Sequence, residues 1–196
     1  MSETLGQSHQ DPHILHVGTC PIRSYYLPYA DQEESHTGLS SRVFSLNGEW
    51  AFRYFPSFQQ AIDPEEGLCF DEEEMDSIPV PSCWQNHGYG RHMYTNVRYP
   101  FPVDPPYVPD ENPCGLYVRH FDLEEKDPET RWFLNFEGVD SCFYLWVNGE
   151  FAGYSQVSHC TSEFELTDLL EQGDNVVAVL VLQWCDGSYL EDQDKL

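Results

Sequence analysis

The side chains with the widest chemical reach in this sequence are its carboxylates: 34 Asp and Glu against 9 Lys and Arg, for a formal net charge of −25. Two carboxylates can divide acid and base work only where burial or a neighbour holds one proton near neutral pH. Runs such as Glu72-Glu73-Glu74 and Glu124-Glu125 have no apolar frame and read as solvated surface, so no catalytic residue is assigned. Asn96 stands apart, in a proline-bounded loop from Tyr94 to Pro100, where a side-chain amide can both donate to and accept from hydroxyl groups. The same residue would equally cap a turn. Asp194 closes Glu191-Asp192-Gln193-Asp194, whose oxygens suit hard cations and hydroxyls, although the run taken alone is an acidic tail. His13 and His16 are three residues apart, but Pro12 and the lack of helical periodicity argue against a metal site.

The charge excludes whole classes of partner. Nucleic-acid binding needs a basic footprint that releases counterions, and an anionic membrane surface would repel so acidic a chain. The 7 cysteines are scattered without a C-x-x-C pair, so they read as reduced thiols. No basic segment followed by an apolar one opens the sequence, no apolar run approaches membrane length, and there is no N-x-Ser/Thr sequon. The expectation is a cytoplasmic protein with neither nucleic-acid nor membrane partners.

Aromatics make up 15% of the residues, with 5 Trp, 12 Tyr and 12 Phe, enough for one sizeable core. Residues 1–42 are polar and dotted with Pro and His, an extended arm rather than a core element. The domain proper is expected over 43–196. It begins with Val43-Phe44-Ser45-Leu46, a turn at Asn47-Gly48, and a strand over Glu49–Phe55 that puts Trp50, Phe52 and Tyr54 on one face. Asp63 to Asp76 reads as a solvated acidic loop, and the prolines of 79–115 exclude helix and allow only turns and short edge strands. Such a long irregular segment is usually functional. Leu116–Leu123, Trp132–Phe136, Phe143–Val147, Phe151–Tyr154 and Asn175–Trp184 read as antiparallel strands. Asn148-Gly149 supplies a type I′ hairpin turn, Thr167–Leu170 one helical turn, and Val176–Leu182 is apolar on both faces like a central strand. Trp146 and Trp184, within strands, are expected in the core rather than stacked on a ligand. The fold class is all-β: an antiparallel β-sandwich, of jelly-roll type and galactose-binding-domain-like.

Three stretches in order carry a resemblance: Leu46-Asn47-Gly48-Glu49-Trp50; Pro79-Val80-Pro81-Ser82-Cys83-Trp84-Gln85 leading to Tyr94-Thr95-Asn96-Val97-Arg98-Tyr99-Pro100; and Asp186-Gly187-Ser188-Tyr189-Leu190-Glu191-Asp192-Gln193-Asp194. Asp104–Pro109, Glu111-Asn112-Pro113, Phe136–Ser141 and Leu145–Gly149 add to it. Together they resemble the N-terminal sugar-binding domain of bacterial β-galactosidases of glycoside hydrolase family two. The first motif and the Trp146–Gly149 hairpin suit β-glucuronidases and β-mannosidases as well; the Tyr94–Pro100 and Asp186–Asp194 stretches are more specific. The resemblance implies a β-galactoside substrate, and an ending before the immunoglobulin-like domain and the TIM barrel whose two glutamates perform the hydrolysis. It implies that Asn96 and Asp194 contact galactose, and that Asp194 helps hold a sodium ion completed by barrel residues. Gln156 and Asp186 match positions near a magnesium site whose further ligands lie in an N-terminal segment that does not align with residues 1–30. It also implies a homo-oligomer, with the 1–42 arm as an assembly element. An autonomous carbohydrate-binding module is the rival reading; an ending inside the Asp186–Asp194 motif counts against it.

Overall fold

A computed structural model of the chain describes residues 8–63, 67–68, 71–93 and 99–190. Its strands are β1 (His16–Val17), β2 (Gly48–Phe55), β3 (Ile62–Asp63), β4 (Gly67–Leu68), β5 (Asp76–Val80), β6 (Cys114–Leu123), β7 (Phe133–Phe136), β8 (Cys142–Val147), β9 (Glu150–Gln156), β10 (Ser162–Glu165) and β11 (Gly173–Leu182). Among the described residues, helix is confined to α1 (Gln32–Thr37), α2 (Phe58–Ala61) and 3-10 turns at Ser8–Gln10, Glu72–Glu74, Trp84–His87 and Asp186–Tyr189.

Strict alternation of side chains builds the main sheet, whose order is β1-β9-β8-β11-β6-β2-β5, all neighbours antiparallel. Phe143, Leu145 and Val147 of β8, with Val177, Val179 and Val181 of β11, face one core. Cys142, Tyr144 and Trp146, with Ala178, Leu180 and Leu182, face the other. The first core is covered by the β7–β10 sheet and its neighbours, through Phe164, Leu166, Leu170, Leu134 and Phe136. Phe58, Ala61, Ile14, Val17, Ile62 and Leu68 pack on the second. The expected antiparallel sandwich is therefore present. So is its sharpest local signal: Val147 pairs with Glu150 across Asn148 (φ 51°) and Gly149 (φ 81°), the positive pair a type I′ turn requires.

Three expectations need correction, and one strand is unexpected. Val43–Leu46 forms no strand; Val43 and Phe44 are exposed, because the sheet edge beside β2 is taken by β5. The acidic stretch is not only loop, since it holds the β3–β4 hairpin and one 3-10 turn, and Asp76 opens β5. Trp184 lies beyond the end of β11 and is half-buried. The unexpected strand is β10, which follows Cys160-Thr161 and opens on Ser162, residues that carry little strand signal.

Part of the supposed arm is also docked. Strand β1 adds to the free edge of β9, and this works because two glycines face it: a Cβ on Gly153 would lie 2.1 Å from the Val17 carbonyl oxygen, and one on Gly18 2.3 Å from that of Ala152. His9 then sits on the second core, its Nδ1 3.0 Å from the Tyr144 hydroxyl and its ring 4.9 Å from that of Phe58. Burial favours the neutral imidazole and lowers its pKa to about 4. The unfolded chain takes up this proton near pH 6.5, so the stabilisation is complete above that pH and lost as pH falls towards 4. Urea unfolding should show this group's contribution shrinking by about 3 kcal/mol across that window, and the pH dependence should weaken in His9→Gln.

Candidate functional site

Beyond β11 the chain leaves the sheet into a polar, aromatic cluster built by three segments. The Asn112 side chain, almost fully buried, grips the Trp184 backbone from both sides: Oδ1 accepts the Trp184 N–H at 3.0 Å and Nδ2 donates to its carbonyl at 2.8 Å. Gln183 N–H donates to the Pro113 carbonyl at 2.9 Å, and the Ser141 hydroxyl donates to the Gln183 carbonyl at 2.9 Å. A 3-10 turn over Asp186–Tyr189 follows, in which the Ser188 hydroxyl accepts the Cys185 N–H at 3.1 Å. Backbone amides that the sheet no longer satisfies are thus taken up one by one.

Tyr189 is the centre of the cluster. Its hydroxyl accepts the Asp104 N–H at 3.1 Å and donates to the Tyr107 carbonyl at 2.5 Å, while its own carbonyl accepts the Tyr99 hydroxyl at 2.6 Å. The Phe101 ring meets those of Tyr189 and Trp184 edge-on, with centroids 5.5 and 5.2 Å apart, and the Tyr99 ring lies 5.5 Å from Tyr189. Edge-to-face pairs of this kind add stabilisation beyond their buried area.

Asp186 and Gln156 come together on the opposite side of the same turn. Gln156 ends β9, its Oε1 accepting the Tyr154 hydroxyl at 2.9 Å and its backbone N–H donating to the Leu15 carbonyl at 3.1 Å. Asp186 is buried, and neither carboxylate oxygen has a hydrogen bond of normal geometry. Burial is the main cause that raises its pKa, and the charge of Asp11 adds to it; the Gln156 amide and Gly187 N–H face the carboxylate closely enough to offset only part. A buried, under-bonded carboxylate that faces an amide and feels the charge of a second carboxylate offers oxygens of the kind a hard divalent cation takes. These residues fit such an ion in type, although no three His, Cys, Asp or Glu side chains converge among the described residues.

Of the positions singled out in the sequence, Gln156 and Asp186 are brought together, whereas Asn96 and Asp194 lie outside the described residues. Trp84 and Trp146 are buried in the two cores, and Trp132 packs against the first. His16 shares a hydrogen bond with the Ser155 hydroxyl. Sequence reasoning missed the roles of Asn112, Tyr189 and Asp11. The first two sit inside motifs already quoted, but nothing local ties Asp11 to Asp186.

The model of the family described as glycosyl hydrolases family 2, sugar binding domain, matches residues 43–196. The chain belongs to this family. It is 50% identical over 189 residues to a β-galactosidase of Actinobacillus pleuropneumoniae, which covers 95% of the chain and 18% of that protein. It is 44% identical over 192 residues to a β-galactosidase of Staphylococcus xylosus, covering 96% and 19%. The chain thus spans about a fifth of the length of these relatives. Among solved structures, a β-glucuronidase from an uncultured Clostridium superposes with a TM-score of 0.52 at 20% identity, over 69% of this chain and 21% of that one. One from Faecalibacterium prausnitzii gives 0.51 at 21% identity, over 70% and 20%. These structural likenesses show the fold.

Because the Asp186 charge is buried without adequate bonds, Asp186→Asn should be no less stable than the parent in the presence of a chelator. Thermal unfolding in EDTA measures this directly; a marked loss of stability would mean that the carboxylate is satisfied after all.

Proposed function

We propose that this chain forms one wall of the galactoside site of a β-galactosidase. It positions the sugar by hydrogen bonds while carboxylates in the remainder of the longer enzyme perform hydrolysis. The observation that carries the reading is the Tyr99–Tyr189 hydrogen bond, which joins the two β-galactosidase-like stretches in a chain half-identical to such an enzyme. In this reading Asn96 and Asp194 contact galactose, and Asp194 helps to hold a sodium ion completed elsewhere in the enzyme. A retaining glycosidase needs a carboxylate pair about 5 Å apart, and no acid in this chain is assigned to that task.

Asp186, Gln156 and Asp11 would hold a magnesium ion, whose charge would neutralise the buried carboxylate and bind the N-terminal segment to the Asp186–Tyr189 turn. Exposed Ile22, Tyr25, Tyr26 and Leu39 support the reading that the arm packs on another surface, such as a second copy. No helix among the described residues is long and apolar enough to cross a membrane. The cysteines among those residues are free, which suits a cytoplasmic address.

Two measurements test these statements. Hydrolysis of a nitrophenyl β-galactoside should be absent with the chain alone and appear when it replaces the corresponding part of the A. pleuropneumoniae enzyme. Tight galactose binding by the isolated chain, with no activity in the fusion, would instead favour an autonomous binding module. Separately, magnesium should raise the melting temperature of this chain and leave that of Asp186→Asn unmoved.

A further inference from the structure

Residues 100–107 include Pro100, Pro102, Pro105 and Pro106, which carry no backbone N–H to donate. The segment belongs to no strand or helix, and a backbone bond within it runs from the Tyr107 N–H to the Asp104 carbonyl, at 2.9 Å. A loop so poor in donors depends on side chains from elsewhere for its shape. Tyr189, 85 residues beyond Asp104, supplies them: one hydroxyl serves the Asp104 N–H and the Tyr107 carbonyl, with the Pro102 carbonyl 3.4 Å away. The Tyr189 ring is buried against Phe101 and Tyr99, so the hydroxyl is held at a fixed point.

Along the chain, Asn96 precedes Tyr99 by three residues and Asp194 follows Tyr189 by five. We propose that Tyr189 is a positioning residue for galactoside binding, its hydroxyl fixing the Pro102–Tyr107 loop against the Asp186–Tyr189 turn. This rests on the galactoside reading given above. The tie itself consists only of contacts among the described residues. Phenylalanine would keep the ring contacts and remove only the hydroxyl, which separates positioning from packing.

The test uses the chain fused in place of the corresponding part of the A. pleuropneumoniae β-galactosidase, comparing the parent fusion with Tyr189→Phe, Asn96→Ala and Asp194→Ala. Tyr189→Phe should lower kcat/KM about ten-fold, mainly through KM, because a tie left unmade costs roughly one hydrogen bond with buried partners. Its melting temperature should fall only by what one hydrogen bond is worth, and hydrogen exchange should quicken in the 99–107 peptide. A Tyr189→Phe fusion with a lower melting temperature but the parent's KM would show a structural role only and overturn the inference. Unchanged kinetics in Tyr189→Phe, with large losses in Asn96→Ala and Asp194→Ala, would overturn it while leaving the galactoside reading intact. An inactive parent fusion, or one indifferent to Asn96→Ala and Asp194→Ala, would overturn both.

Discussion

Burial of β11 on both faces and hydrogen bonding along both its edges is the constraint on which the rest of this molecule depends. Its register against β6 and β8 fixes which side chains enter which core. A slip of one residue would turn Val177, Val179 and Val181 into the face now held by Ala178, Leu180 and Leu182. The same strand delivers Trp184, Asp186 and Tyr189 to the sheet's end, so the position of the polar cluster follows from the packing of the strand before it. Asn112 marks the handover, replacing the lost ladder with two side-chain bonds to a single residue.

The N-terminal segment and the Asp186–Tyr189 turn meet through β9. Val17 and Leu15 dock on its edge, His9 rests on Tyr144 beneath it, and Gln156 at its end faces Asp186. In a chain of net charge −25, a carboxylate buried with few bonds is costly. A bound cation would remove that cost, and it would do so at the point where three remote segments converge. Acid acts on the same region differently, because protonation of His9 opposes its burial.

The proposed sugar-binding role, divided between this domain and the remainder of a larger enzyme, would account for two features together. The cluster at the end of β11 is elaborately tied, with Tyr99, Phe101, Asn112 and Tyr189 all engaged, yet its contacts serve to shape loops rather than to set up acid and base. Tyrosine suits that task, since one rigid ring buries area while its hydroxyl reaches two backbone groups.

Much of the sandwich was legible in the sequence. Strands β6, β8, β9 and β11 and the Asn148-Gly149 turn were readable because alternation and turn chemistry are local properties, written within a few residues. The family motifs likewise marked Asn96, Gln156, Asp186 and Asp194, and for Asn96 and Asp194 the sequence remains the whole of the argument. Tertiary structure alone decided that Val43–Leu46 stays outside the sheet, that β10 exists, that His16–Val17 within the arm becomes a strand, and that the charge of Asp11 is felt at Asp186. It alone showed Tyr189 holding Asp104 and Tyr107. Each of these depends on groups brought together from distant parts of the chain, and no periodicity in a short window records which distant surface a side chain will meet.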